Sequence, residues 1–151
     1  MTDRQIPRAA LLLGLAGLVP FLWGAGTELS DDAAALGLSL LGPRFIGPYV
    51  GLAYGTVILS FMSGVLWGFA AQAREGAATG YALSVIPALW AFFMVGGGPV
   101  SAAINLMAGF AGLLLLDAVF VRWGLAPPWW MRLRLGLTAV VLACLAITAF
   151  G

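Results

Sequence analysis

Residues 46–73 read IGPYVGLAYGTVILSFMSGVLWGFAAQA and contain no charged side chain. Because about 20 apolar helical residues cross the ~30 Å hydrocarbon core of a bilayer, this stretch predicts a transmembrane helix. Similar apolar stretches cover about 7–27, 78–96, 100–121 and 129–150. We therefore predict an all-α fold, a polytopic membrane helix bundle with five transmembrane helices that forms a single integral membrane domain over residues 1–151.

The composition supports a chain solvated mainly by lipid. Hydrophobic residues make up 62% of it and charged residues only 9%, whereas soluble domains carry roughly 25% charged residues. The net charge is +1 and lysine is absent, which argues against a nucleic-acid partner. Histidine is absent and Cys144 is the single cysteine, so we expect no metal site, no histidine-ligated haem and no internal disulfide.

The loop between the first two spans is the longest connection. Ser30 precedes Asp31 and Asp32, a pattern typical of a helix N-terminus, and it predicts a short interfacial helix over residues 31–41. Within the spans, Pro20 and Pro87 each predict a kink because proline cannot donate a backbone hydrogen bond.

The arginines predict the orientation of the bundle. With five spans, six of the seven arginines fall on the side of the N-terminus, and only Arg44 falls on the other side. Cytoplasmic loops of membrane proteins carry an excess of arginine and lysine. We therefore predict a cytoplasmic N-terminus, a periplasmic C-terminus and residence in a bacterial inner membrane. The six are Arg4, Arg8, Arg74, Arg122, Arg132 and Arg134.

Small residues recur every four positions along the second span. Such a stripe lets a neighbouring helix approach closely, so it predicts tight helix packing. The stripe comprises Gly47, Gly51, Gly55, Ser60, Gly64 and Gly68.

A second interpretation of the same span is a small polar pocket between the second and third spans. This candidate pocket would be lined by Ser60, Ser63, Trp67, Ser84, Pro87 and Trp90. Of the two interpretations, helix packing is favoured, since serine and glycine at this spacing more commonly mark a packing surface.

Asp117 is the only acidic residue inside a predicted span. A charge at such a depth is costly and needs a partner. Arg132 and Arg134 begin the fifth span on the same side of the membrane, so we predict that one of them pairs with Asp117. Three tryptophans surround the intervening loop: Trp123, Trp129 and Trp130. Tryptophans at such a position typically form a belt at the membrane–water interface, which we predict here.

The chain resembles the DUF3429 family of transmembrane protein 69-like membrane proteins over nearly its whole length. The resemblance is carried by Ile6-Pro7-Arg8-Ala9, Gly14 to Phe21, Tyr54-Gly55, Ile58 to Phe61, Gly64 to Gly68, Ser84 to Pro87, Leu116-Asp117 and Trp130 to Thr138. It implies a small polytopic protein of bacterial or mitochondrial inner membranes. The family usually has histidine before the Trp-Gly pair, where this chain has Leu66. If that histidine has a function in the relatives, we do not expect this chain to perform it in the same way.

No catalytic constellation is present in the sequence. It lacks a nucleophile–base set, paired membrane carboxylates and a phosphate-binding loop, so we expect no enzyme activity and no catalytic residues. The favoured function is a non-catalytic accessory subunit or assembly factor that packs against a respiratory or photosynthetic membrane complex, or against a second copy of itself. The alternatives are a small oligomeric transporter or channel, and a protein that binds a quinone or lipid. Membrane lipids are expected partners in every case.

Overall fold

The computed structural model describes residues 4–151, and within that range it contains helices and turns but no strand. Five helical stretches are long and apolar enough to cross a membrane, which confirms the predicted all-α class and the number of spans. They are Arg8–Leu29, Tyr49–Ala70, Ala77–Met94, Pro99–Arg122 and Trp130–Phe150.

Two of the five spans are interrupted at a proline. The first span consists of α1 (Arg8–Ala16) and α2 (Val19–Leu29), and Pro20 stands at the start of α2. The third span consists of α5 (Ala77–Ser84) and α6 (Ile86–Met94), and Pro87 stands at the start of α6. Each proline removes one backbone donor, which explains why the helix breaks there.

The first loop contains a helix over the residues expected from the sequence. In α3 (Asp31–Leu41), the hydroxyl of Ser30 accepts a hydrogen bond of 3.3 Å from the backbone N–H of Ala33. Asp31 and Asp32 occupy the first turn, where negative charge stabilises the helix dipole. A short 3-10 turn, Pro43–Phe45, then leads to the second span.

The second span is shorter than the sequence predicted. We expected residues 46–73, but α4 runs Tyr49–Ala70. Pro48 precedes the helix. At its other end the chain turns before Gly76, whose φ of +69° suits glycine.

The last two spans, α7 (Pro99–Arg122) and α8 (Trp130–Phe150), pack against each other along their length, and α4 lies against α2, α5, α6 and α7. The core between them is fully buried and is built mainly from Leu59, Leu66, Leu106, Phe110 and Phe120. The outside of the bundle is also apolar, with Leu13, Phe92 and Phe93 about three-quarters exposed. An apolar exterior around an apolar core is the arrangement expected for a protein in lipid.

Candidate functional site

The side chain of Ser63 on α4 forms hydrogen bonds with two backbone groups at the Pro87 kink. Its hydroxyl donates to the carbonyl oxygen of Ser84 and accepts a hydrogen bond of 3.1 Å from the N–H of Ala88. Those two backbone groups would bond to each other in a continuous helix. Ser84 donates from its own hydroxyl to the carbonyl of Tyr81 at 2.7 Å. The buried serines therefore hold the broken third span against α4, in the way that side chains satisfy freed backbone groups inside membranes.

The other residues of the candidate pocket do not join this cluster. Ser60 is exposed and bonds to the carbonyl of Thr56 in its own helix, and Trp67 is half exposed with its ring against Tyr81 at 4.5 Å. The indole of Trp90 donates to the carbonyl of Asn105 on α7 at 2.7 Å. The structure therefore does not bring all six residues of the predicted polar pocket together, because the Ser63 hydroxyl bonds to the backbone and Ser60 and Trp67 are exposed. The six residues are Ser60, Ser63, Trp67, Ser84, Pro87 and Trp90.

The small-residue stripe of α4 is divided between two environments. A Cβ at Gly47 would lie 2.4 Å from the carbonyl oxygen of Gly24, and one at Gly55 would lie 3.1 Å from Leu106. In contrast, within residues 4–151 a Cβ at Gly51, Gly64 or Gly68 would meet no atom within 4 Å.

Within the described part of the chain, the predicted packing stripe is therefore not continuous. Gly47 and Gly55 face neighbouring helices of this chain, whereas Ser60, Gly64 and Gly68 are exposed on the outer face of α4. The stripe winds around the helix because successive positions four apart advance by more than one full turn.

Two glycines outside the stripe also lie in close helix contacts. A Cβ at Gly109 of α7 would lie 2.6 Å from Leu59 and 2.8 Å from Trp90, so three spans converge there. A Cβ at Gly80 of α5 would lie 2.9 Å from the Cβ of Ala70. Sequence reasoning missed both positions. Gly109 belongs to no regular series of small residues, and the short series Gly76, Gly80 and Ser84 was not recognised.

Asp117 forms a buried polar cluster with two residues of α8. Its Oδ2 lies 2.8 Å from Nε of Arg134, and its Oδ1 accepts a hydrogen bond of 2.8 Å from the indole N–H of Trp130. Asp117 is fully buried and Arg134 nearly so. A buried ion pair depends on such additional hydrogen bonds to offset the loss of hydration. The structure selects Arg134 from the two predicted partners.

Arg132 and the tryptophans lie elsewhere at the same end of the bundle. Arg132 is exposed, and its guanidinium lies 3.4 Å from the carbonyl oxygen of Arg4. Trp123 is half exposed at the end of α7, and the ring of Trp129 lies 5.9 Å from that of Trp130. Trp130 differs from the prediction of an interfacial belt, because its indole N–H turns inward to the carboxylate of Asp117.

A cavity of about 370 Å³ lies between α1, α2, α4 and α8, and Phe110 of α7 also lines it. Its walls are mainly aliphatic and aromatic, and they include Arg134 and Thr138 as the polar side chains of α8. Both are at least nine-tenths buried. The sequence carried no signal for this cavity. Its walls come from five helices, and the hydrophobic pattern of the sequence does not define how these helices are rotated against one another.

Leu66, at the position where the family resemblance implies histidine, is fully buried in the core. An aliphatic side chain there packs between helices and offers no ligand. Among residues 4–151, no group of three or more His, Cys, Asp or Glu side chains lies close enough to hold a metal ion.

A family model described as "Protein of unknown function (DUF3429)" matches residues 6–150. The chain is also 32% identical over 143 residues to "Transmembrane protein 69" from Xenopus tropicalis, an alignment that covers 91% of this chain and 52% of that protein. The chain thus spans about half the length of this relative. No solved structure matches the chain. The match over nearly all of its residues, together with five apolar spans, shows that the chain is an integral membrane protein and belongs to the DUF3429 family.

Proposed function

We propose that this chain is a non-catalytic protein of a bacterial inner membrane, which packs against other membrane proteins as an accessory subunit or assembly factor of a respiratory or photosynthetic complex. The observation that carries the proposal is the outer face of α4. Ser60, Gly64 and Gly68 follow one another along this face and are exposed, and a Cβ at either glycine would meet nothing within 4 Å among the described residues.

The shape of this face suits another helix. Phe61 and Trp67 are 64% and 50% exposed, and they stand beside the small residues as two bulky ridges. In lipid, apolar surface alone does not drive helices together, so association depends on close packing and on contacts between backbones. A shallow groove with glycines at its base allows two helix backbones to approach closely. A helix that faces only lipid does not require such a groove.

The polar groups of the bundle interior support a non-catalytic function. Asp117 is occupied by Arg134 and Trp130, and Ser63 is occupied by the backbone around Pro87. These groups hold helices together and leave neither the carboxylate nor the Ser63 hydroxyl free to act as a base or nucleophile. The proposed compartment comes from the resemblance to inner-membrane relatives, and the arginine-rich end of the bundle would face the cytoplasm.

The test is purification of a tagged full-length chain from its native membrane in a mild detergent. We compare the wild type with the double variant Gly64→Leu/Gly68→Leu, which fills the groove. The matched control is Gly136→Leu on α8, where a Cβ also meets no described atom within 4 Å. A second, differently tagged copy of the chain is expressed alongside it.

The proposal predicts a stoichiometric membrane-protein partner that co-purifies with the wild type and the control but not with the groove-filled variant. Thermal unfolding of all three purified proteins should be similar, because the substituted positions lie outside the packed core of the bundle. A wild type that purifies alone, or a partner that stays bound to the groove-filled variant, would contradict the proposal. Co-purification of only the second tagged copy would replace it with self-association.

A further inference from the structure

The cavity between α1, α2, α4 and α8 is large enough to hold a small molecule. Its volume of about 370 Å³ falls in the range of ligand sites, and aromatic side chains from four helices line it. Leu13 and Phe61 also line it and are exposed on the outside of the bundle. A molecule dissolved in the bilayer can therefore enter without crossing water.

Two residues of α8 that line this cavity, Arg134 and Thr138, each carry a buried polar atom without a partner in the described part of the chain. Arg134 gives its Nε to Asp117, but its Nη2 is buried and has no hydrogen-bond partner within the described part of the chain. The same is true of Oγ1 of Thr138, one turn further along the helix. Arg134 is only 5% exposed and Thr138 only 2%. Buried polar atoms nearly always have a hydrogen-bond partner. Two unpaired polar atoms on residues that line one cavity therefore point to a partner outside this chain.

The hydroxyl of Thr138 differs from others in these helices. Thr56, Ser60 and Ser84 all donate to a backbone carbonyl one turn earlier in their own helix, at 2.9, 2.9 and 2.7 Å. This local bond is the usual way for a helical hydroxyl to be satisfied. Thr138 does not make it, and its hydroxyl stays available beside the guanidinium of Arg134.

The charge of the cluster determines the kind of acceptor. Asp117 already neutralises Arg134 at 2.8 Å, and Trp130 donates to the same carboxylate. A carboxylate or phosphate ligand would add a second negative charge in a medium of low dielectric constant, which is unfavourable without a further cation. A neutral carbonyl oxygen accepts the two hydrogen bonds without that cost.

The aromatic walls favour a flat ring beside that carbonyl. Phe21, Tyr54 and Phe110 line the cavity, and Phe21 packs edge-on against the other two rings at 5.3 and 6.2 Å. Aromatic faces and edges stabilise a planar ligand through offset and edge contacts.

We propose that this cavity binds the headgroup of a lipid-soluble quinone. One quinone carbonyl accepts hydrogen bonds from Nη2 of Arg134 and Oγ1 of Thr138, and the apolar tail leaves between Leu13 and Phe61 into the bilayer. Binding breaks no covalent bond. The ester carbonyl of a phospholipid has the same hydrogen-bonding chemistry, so the test must separate these two sources.

The test uses the full chain in phosphatidylcholine nanodiscs, titrated with a short-chain ubiquinone analogue, decylubiquinone. Binding is followed by quenching of tryptophan fluorescence, since Trp129 and Trp130 line the cavity. Thr138→Val removes one donor and should weaken binding about fivefold, the effect of one hydrogen bond. Its matched control is Thr56→Val, whose hydroxyl bonds to Leu52 outside the cavity. Binding to this control should be unchanged.

A second pair of variants tests the location. Leu137→Phe places a larger side chain in the cavity wall and should abolish saturable quenching. Leu135→Phe adds the same ring to the same helix at a position that is 52% exposed, so it should leave binding unchanged.

Thermal unfolding without quinone separates binding from structure. Thr138→Val should unfold at the same temperature as the wild type or higher, because its hydroxyl makes no bond within the chain. A lower unfolding temperature would reveal a structural partner for that hydroxyl and would overturn the proposal. Quenching that never saturates, or that is equal in all variants, would overturn it as well. Mass spectrometry that finds a bound phospholipid lost in Thr138→Val, with no quinone binding, would assign the site to a lipid ester instead.

Discussion

Ser63 on α4 lies between Ser84 and Ala88 of the third span and takes the place of their backbone hydrogen bond. Its hydroxyl donates to the carbonyl of Ser84 and accepts from the N–H of Ala88 at 3.1 Å. One side chain thus closes a gap in a neighbouring helix. The kink at Pro87 and the packing of α4 against α5 and α6 are therefore coupled through a single hydroxyl group.

Ser63→Ala should destabilise the protein by about 1–2 kcal/mol, because the variant leaves two buried backbone groups without their partner. The measurement is reversible unfolding in mixed detergent micelles, followed by circular dichroism. Ser60→Ala serves as the control, since Ser60 is exposed and bonds only to its own helix, so its free energy of unfolding should change little. Equal stability of the two variants would show that the Ser63 bridge contributes nothing.

The Asp117–Arg134 pair gives a larger expected effect. Asp117→Asn leaves a buried guanidinium without its counter-charge, which should cost about 3–5 kcal/mol of stability. The double variant Asp117→Asn/Arg134→Met removes both charges and should recover part of this loss. Arg132→Gln is the control, since Arg132 is exposed and contacts only the carbonyl of Arg4.

Unfolding in detergent and the yield of monodisperse protein measure this prediction. If Asp117→Asn were no less stable than Arg132→Gln, the pair could not be the clamp between α7 and α8. A double variant that is less stable than Asp117→Asn would show that Arg134 stabilises the bundle through other contacts.

Gly109 should not tolerate a side chain. In Gly109→Ala the new methyl group would lie 2.6 Å from the Leu59 side chain and 2.8 Å from the ring of Trp90, so these side chains or their helices must shift. We expect a loss of about 1–3 kcal/mol from overpacking. Gly112→Ala, one turn further along α7, meets no described atom within 4 Å and should be neutral or slightly stabilising, because alanine favours helix more than glycine. Equal unfolding temperatures for the two alanine variants would contradict the close approach of three spans.

The contacts of Asp117 could be predicted from the sequence, whereas those of the small-residue stripe could not. A charge inside a span requires a partner wherever the helices lie, so Asp117 pointed to an arginine of α8 before any coordinates. Glycine and serine carry no such requirement, and lipid is as apolar as the protein core. The sequence therefore could not tell that Gly55 faces Leu106 whereas Gly64 faces outward.

Contacts between side chains of different helices could not be predicted from the sequence for a related reason. The number of spans follows from hydropathy alone, but the rotation of each helix about its axis does not, because both of its faces are apolar. The bond between Ser63 and Ser84 depends on that rotation. So does the cavity beside Thr138, whose walls come from five helices.

The distribution of arginines predicts how the bundle is oriented in the membrane. The structure brings the N-terminal segment to the arginine-rich end, where Arg132 contacts Arg4, and it brings Glu28 to Thr148 at the opposite end. Because arginines are retained on the cytoplasmic side, the turn after α4 should be cytoplasmic and α3 should be periplasmic. Labelling of single cysteines with a membrane-impermeant maleimide measures this, in a Cys144→Ala background that removes the buried native thiol. Ser39→Cys on α3 should react in intact spheroplasts, and Gln72→Cys should react only after permeabilisation. The two sites are both exposed, so each serves as the reactivity control for the other. Labelling of Gln72→Cys in intact spheroplasts, with protection of Ser39→Cys, would invert the bundle, and the six arginines would then lie on the wrong side.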